Sequence, residues 1–320
     1  MKLRDLGEFA LIERIERAAR RAGGRAAAGV RIGIGDDAAV LRARPGEEFV
    51  LTTDALVENV HFRWRTQSPR TLGRRALVAN LSDLAAMGAR PLGVTLALAA
   101  PGGLPVRVLD ELLAGLLREA RTHRCPLVGG NLSAARETSL TLAAAGAVER
   151  GRALTRRGAR PGDRIFVTGT LGAAALELAR AERGLGRVRR VAEPRLRAGR
   201  ALVRLPGVGA CIDVSDGLEA DLAHLLGRGL GAELETGRVP RPARFAAACA
   251  RLGLDPERLA LGGGEDYELL FMLRPSGPSA AVLERRLGVR TTQIGRVVRA
   301  GAARRAGPRP GGWRHFGPSA

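Results

Sequence analysis

Lysine is almost missing from this chain: Lys2 is the only one in 320 residues, and every other cationic side chain apart from histidine is arginine. A G-x-x-x-x-G-K-[ST] phosphate loop needs a lysine beside its glycines, and a protein-kinase fold needs one on its third strand; neither can be built here. Cysteine is reduced to Cys125, Cys211 and Cys249, with no C-x-x-C spacing. That excludes a zinc knuckle and argues against a disulfide framework, so a reducing, cytoplasmic setting is expected. There is no H-E-x-x-H, and no G-x-S-x-G, because Asp213 stands where the first glycine before Ser215 would be. Aromatic residues make up only 3% of the chain, too few to supply stacking platforms for single-stranded nucleic acid. The longest largely apolar stretch, residues 92–100, is about half a membrane span and runs into Pro101. The first residues are charged and amphipathic without the apolar core of a signal peptide, so neither membrane insertion nor signal-directed secretion is expected.

What is present is a globular composition, 45% hydrophobic and 26% charged, long enough for roughly two domains. The net charge is +20, from 52 basic against 32 acidic residues. Such a field attracts polyanions. The arginines, however, are spread along the chain among Ala and Gly, the pattern of a solvated surface rather than a binding stripe for nucleic acid.

Hydrophobic spacing predicts a helix over 7–22; strands are expected within 29–41 and over 49–54, a helix over 69–88 with Pro69 near its start and Gly88 near its end, and a strand over 92–99. A helix over 105–122 and strands over 125–129 and 138–148 follow. A turn-rich break, G-A-R-P-G-D-R (158–164), follows soon after, and the domain boundary is placed near residue 150. The second half is expected to open with a strand (165–170) and a helix (172–182). Helices over 194–204, 216–227, 241–252 and 278–287 then mix with strands over 210–214, 231–235, 267–273 and 292–298. The fold class is α/β (α+β) in two lobes, 1–150 and 151–320. The last 20 residues are rich in Gly, Pro and Arg but carry Trp313 and Phe316.

In so basic a protein the acidic residues form small clusters beside Gly, Ser or Thr at predicted strand ends. They are Asp36-Asp37, Thr52-Thr53-Asp54, Asp83 in N-L-S-D, Asp213 and Asp216 in D-V-S-D-G, and Glu265, Asp266 and Glu268 in G-G-G-E-D-Y-E. Oxygen ligands without His or Cys suit Mg²⁺. G-I-G-D-D-A (33–38) fits a dinucleotide fingerprint only weakly, because its two aspartates would sit where a pyrophosphate binds and repel it unless a cation intervenes. Two unit charges 4 Å apart interact by about 4 kcal/mol at an effective dielectric near 20. Without a phosphate-binding lysine, neutralising phosphates falls to metals or arginines. Each cluster alone reads as a turn, a cap or a solvated face; their number in one chain points to phosphate chemistry.

Taken in order, G-I-G-D-D-A-A-V, T-T-D-A-L-V-E-N-V-H-F, N-L-S-D-L-A-A-M-G-A-R-P, G-R-A-L-T-R-R-G-A-R-P-G-D, V-T-G-T-L-G, I-D-V-S-D-G-L and G-G-E-D-Y-E-L-L-F resemble the thiamine-monophosphate kinase family, within the aminoimidazole ribonucleotide synthetase-like superfamily. The resemblance runs from about residue 5 to 316. It implies a two-lobed fold, with an N-terminal mixed α/β lobe for ATP, Mg²⁺ and dimerisation and a C-terminal α/β lobe completing the substrate site between them. It implies transfer of a phosphoryl group from ATP to thiamine monophosphate, giving thiamine diphosphate, by a homodimer using several Mg²⁺ ions. The family's metal ligands fall on Asp37, Thr52, Thr53, Asp54, Asp83, Asp213 and Asp216. Its nucleotide contacts fall on Gly130, Arg156 and Ser215, and its thiamine-phosphate contacts on His61, Glu265 and Trp313. Asp54, Asp83 and Asp213 are expected to hold the catalytic metals, and Arg156 to stabilise the transferring group. The family's G-G-D-T is V-G-G-N-L-S here, so Asn131 stands where an aspartate both ligates Mg²⁺ and lies beside ATP. The nucleotide-side metal is therefore expected to bind more weakly. The alternatives are a related ATP-dependent enzyme with another acceptor and an Arg-rich nucleic-acid-binding protein, whose binding would fall steeply with salt.

Overall fold

The computed structural model describes residues 1–23, 29–34 and 38–300. Asp37 and Trp313, two of the expected site residues, lie outside them, as do Asp36 and Phe316. The described chain divides into two compact units. The first comprises Met1–Leu84, Ala89–Gly151 and Ala181–Val191; the second comprises Ala85–Gly88, Arg152–Arg180 and the described part of Ala192–Ala320. No described helix is long and apolar enough to cross a membrane.

The first unit begins with α1 (Leu3–Leu6) and α2 (Glu8–Arg21), then a short antiparallel pair, β1 (Val30–Ile32) and β2 (Val40–Leu41). Its main sheet is built from β3 (Glu47–Val57), β4 (Arg90–Ala100), β5 (Leu127–Ala134) and β6 (Ser139–Glu149), in the order β3-β6-β4-β5. Only β4 and β5 run parallel, joined by α4 (Val106–Thr122), as a parallel pair requires a crossover. The register sets Asp54 opposite Leu142, which is in turn opposite Leu96. Side chains alternate across the sheet, so one face carries the buried row Leu140, Leu142, Ala144, Val94, Leu96 and Leu98. The opposite face carries Phe49 and Leu51, 60% and 77% exposed, beside Thr53, Ala55, Ala97 and Asn131.

Helix α3 (Pro69–Ala86) is buried nearly all round from Ala76 onward. It crosses α4 where two glycines meet: a Cβ on Gly73 would stand 2.0 Å from the Leu112 carbonyl oxygen, and one on Gly115 2.0 Å from that of Arg70. Ion pairs Arg70–Glu111 and Arg74–Glu119 flank the crossing, at 2.8 and 2.5 Å.

The second unit contains an antiparallel sheet in the order β8-β10-β7-β11-β9, formed by β7 (Arg164–Thr168), β8 (Val208–Asp213), β9 (Leu230–Leu234), β10 (Leu269–Leu273) and β11 (Thr291–Arg299). Helices α5 (Ala173–Glu182), α6 (Leu196–Leu202), α7 (Leu218–Leu225), α8 (Phe245–Ala250), α9 (Pro256–Gly262) and α10 (Ala280–Leu287) complete it, α5 running on into the segment assigned to the first unit. Both faces of the sheet are covered. Ile165, Val167, Ile212, Leu270 and Met272 pack with Leu218, Leu222 and Leu225 of α7. Phe166, Cys211, Leu269 and Phe271 pack with Leu202 of α6 and with Leu283 and Leu287 of α10. This is why β10 reads as an unbroken apolar run, L-L-F-M-L, rather than an alternating one. Phe166 and Phe271 stack with ring centroids 5.5 Å apart.

Two local expectations needed correction. The helix expected over 241–252 begins only at Phe245, because Pro242 biases Arg241 away from helical geometry and Arg244 is left-handed, with φ 59°. Helix α9 was not anticipated, although D-P-E is a helix-start signal: Asp255 caps it, accepting from the Glu257 and Arg258 amides, with Pro256 in the first turn.

Candidate active site

In the first unit, β3 presents Thr52 and Asp54 on one face, two residues apart, and α3 presents Asp83. Thr52 Oγ1 donates to Asp83 Oδ2 at 2.5 Å, tying strand to helix across 31 residues of sequence. Thr53 points to the other face, where its hydroxyl donates to the Leu142 carbonyl oxygen at 2.9 Å. One turn before Asp83, the carboxamide oxygen of Asn80 is fully buried without a hydrogen-bond partner. His61 follows β3 in a tight loop and accepts at Nδ1 from the Val57 amide, 3.1 Å away. Gly130 and Asn131 lie on β5, with β6 and β4 between them and β3. The Asn131 side chain donates to Ser133 Oγ at 3.0 Å. A Cβ on Gly130 would stand 2.1 Å from the Leu96 carbonyl oxygen, so the strand accepts no larger residue there without shifting.

In the second unit, the antiparallel pairing brings three motifs to one end of the sheet. The C-terminal ends of β7 and β8 and the N-terminal end of β10 all lie there. They carry V-T-G-T-L-G (167–172), D-V-S-D-G (213–217) and G-G-G-E-D-Y-E (262–268). The last two loops are bonded to each other. Glu265 and Tyr267 donate backbone N–H bonds to the Ser215 and Val214 carbonyls at 2.8 and 2.9 Å, and Val214 donates to that of Glu268 at 2.8 Å. Glu265 and Tyr267 take left-handed backbone conformations, φ 63° and 54°, which non-glycine residues adopt rarely. Asp213, Ser215, Asp216 and Glu265 therefore belong to one loop cluster. Arg156, exposed, sits on the segment running beside β8, where the Thr155 carbonyl accepts from the Cys211 amide at 2.9 Å.

Two acidic residues counted among the clusters have structural partners instead. Asp266 caps α5, accepting from the Gly172 and Ala174 amides at 2.5 and 3.2 Å. Glu268 is buried in a bidentate pair with Arg195, both contacts 2.6 Å, and accepts from Thr168 Oγ1 at 2.7 Å. One residue that sequence reasoning passed over is prominent. Asp221 Oδ2, inside the first turn of α7, accepts from the amides of Ser215, Asp216 and Gly217 at 3.0, 3.1 and 3.1 Å. Burial is the largest influence on its carboxyl and pushes it up to about 7; the backbone N–H bonds pull the other way, and the Asp216 charge adds to the rise. The available signal was an aspartate four residues after S-D-G, where Gly217 has no side chain to cap the helix itself.

Among the described residues no three His, Cys, Asp or Glu side chains converge as a ready-made metal cage. The donor set is nonetheless one that Mg²⁺ accepts. It is all oxygen, in small groups of carboxylates and hydroxyls, and Mg²⁺ usually takes one or two carboxylates and completes its shell with water and substrate phosphates.

A two-unit chain with acidic loops at its strand ends defines the class. Residues 35–148 match the family model "AIR synthase related protein, N-terminal domain". A thiamine-monophosphate kinase from Aquifex aeolicus is 33% identical over 327 aligned positions, covering 99% of this chain and all of the relative. The chain belongs to the thiamine-monophosphate kinase family. Solved structures agree. The thiamine-monophosphate kinase of Stenotrophomonas maltophilia K279a superposes with a TM-score of 0.78 at 35% identity, covering 94% of this chain and 96% of that one. AaThiL complexed with AMPPCP and TMP superposes with a TM-score of 0.71 at 31% identity, covering 99% of each.

Proposed function

We propose that this protein transfers the γ-phosphoryl group of ATP to the phosphate of thiamine monophosphate, yielding ADP and thiamine diphosphate. The observation that carries the reading is the full-length likeness to AaThiL, a structure complexed with AMPPCP and TMP, together with the bonded pair of loops holding Asp213, Ser215, Asp216 and Glu265. A phosphate oxygen of thiamine monophosphate forms the new P–O bond as the bond between the β,γ-bridging oxygen and the γ-phosphorus of ATP breaks, and ADP leaves. The acceptor is ionised near neutral pH, so no strong general base is needed. Positioning and charge neutralisation dominate catalysis.

Thr52, Asp54 and Asp83 of the first unit, with Asp213 and Asp216 of the second, are the ligands we assign to Mg²⁺; Asp37 joins them by resemblance, as do Thr53 and Asn131, which stand on the other face of the sheet. When bound, Mg²⁺ neutralises the two phosphate chains. Gly130, Arg156 and Ser215 are assigned to the nucleotide, with the Arg156 guanidinium on the transferring group. His61 and Glu265 are assigned to thiamine monophosphate, with Trp313, whose ring suits a cationic thiazolium. The homodimer is assigned to the first unit, where Phe49 and Leu51 stand exposed; apolar surface of this kind marks interfaces. Three free, buried cysteines suit a cytoplasmic setting.

The test is incubation with Mg-ATP and thiamine monophosphate. Stoichiometric thiamine diphosphate and ADP are expected. ATP-dependent turnover of another acceptor, or salt-sensitive polynucleotide binding without ADP release, would replace this reading.

A further inference from the structure

The D-V-S-D-G loop leaves β8 and enters α7 through Gly217, whose φ is 117°. A helix start usually finds its acceptor at the residue before the helix. Gly217 has none, and the acceptor comes from inside the helix instead, as one oxygen of Asp221 serving three consecutive amides. Those amides belong to Ser215, assigned above to the nucleotide, to Asp216, assigned to the metal, and to the glycine that turns the chain. Asp221 itself is 2% exposed, so solvent competes little for this oxygen. The other side of the loop is closed by the Glu265 and Tyr267 amides on the Ser215 and Val214 carbonyls. The backbone of Ser215 is therefore held from both directions.

We propose that Asp221 is a positioning residue for phosphoryl transfer: its carboxylate fixes the backbone from which Ser215 and Asp216 meet the nucleotide and its divalent cation. The inference rests on the functional reading above. It assigns Asp221 no direct contact with substrate or metal. A residue that only starts a helix would act on stability alone. A residue that aims its neighbours acts on transition-state geometry, where about 1 Å of misplacement costs on the order of 10²-fold.

The experiment is a double-mutant cycle of Asp221→Asn with Asp216→Asn in the full chain, read as kcat/KM for Mg-ATP and KM for thiamine monophosphate. Asp255→Ala, which removes the α9 cap, is the structural control. Asp221→Asn is expected to lower kcat/KM for Mg-ATP about 10–100-fold, with KM for thiamine monophosphate within about twofold and a thermal midpoint close to that of the control. The double variant is expected to lose less than the product of the two single losses, since Asp221 acts in part through Asp216. Should Asp221→Asn fail to fold, Asp221→Glu keeps the charge but displaces it by one methylene, and the same cycle is read. Amide hydrogen exchange, which needs no turnover, is expected to quicken at residues 215–217 before the rest of α7. Losses that multiply in the double variant, or an active Asp221→Asn enzyme with unchanged kcat/KM, overturn this inference alone. A wild-type protein that makes no thiamine diphosphate overturns the functional reading, and this inference with it.

Discussion

Gly264→Ala tests the loop pair directly. Gly264 is the last of three consecutive glycines before Glu265, and a Cβ there would stand 2.4 Å from the Ser215 carbonyl oxygen. A carbon and a carbonyl oxygen rest no closer than about 3.3 Å, so the two loops must part by roughly 0.9 Å. The obstacle is backbone on a segment tied down by the Glu265 and Tyr267 bonds, and it cannot swing aside as a long side chain would. Overpacking of this kind costs about 1–3 kcal/mol. In a unit of this size that lowers Tm by about 2–4 °C for each kcal/mol. Displacing Ser215 relative to Glu265 by about 1 Å is expected to lower kcat/KM on the order of 10²-fold, about 2.7 kcal/mol of transition-state stabilisation. The assay is thiamine diphosphate formation, alongside thermal unfolding. Gly237→Ala is the control, since a Cβ there meets nothing within 4 Å. Gly264→Ala protein with kcat/KM within threefold of wild type would refute the claim that these two loops form one rigid element.

Asp83→Ala and Asp213→Ala are each expected to abolish turnover nearly completely while far-ultraviolet circular dichroism stays native; wild-type rates in both would remove the metal-based assignment. Asn131→Asp restores the family's charge and is expected to lower the Mg²⁺ concentration needed for half-maximal activity, read from a Mg²⁺ titration of turnover; an unchanged titration would separate Asn131 from metal binding. Leu51→Arg on β3 is expected to turn a dimer into a monomer by light scattering, with the first unit still folded. The Arg90 guanidinium, hydrogen-bonded at 3.0 and 2.5 Å, holds the Glu47 carboxyl below the usual carboxylate range. A carboxylate with a depressed folded pKa contributes stability above its unfolded value, near 4.3, and loses it as pH falls through the folded value. Glu47→Gln is therefore expected to cost about 1–3 kcal/mol at pH 7 in urea denaturation, with the gap to wild type closing below about pH 4.

Much of this protein was legible in one dimension because the relevant signals are local. Helical spacing marks α2 and α4, and Pro69 and Gly88 bracket α3, since a Gly or Pro at an element's edge has the same backbone preference wherever the chain goes. The strings around Asp54, Asp83, Asp213 and Glu265 are enough to name the family. Other features depend on pairings across tens of residues, which no local preference encodes. Asp266 and Glu268 look like metal ligands beside Glu265. Only the folded chain shows one capping α5 and the other paired with Arg195, 73 residues away. Thr52 and Thr53 are neighbours in sequence, yet strand alternation sends one hydroxyl to Asp83 and the other to a sheet carbonyl. Asp221 reads as an ordinary helix residue until Gly217 turns three amides onto it. Residues 181–191, which the sequence reading places in the second lobe, count with the first unit. Sequence determined which chemical groups exist and which short segments turn, coil or extend. Tertiary structure decided which of those groups share a face, because hydrogen bonds and close packing act on distance in space and are indifferent to distance along the chain.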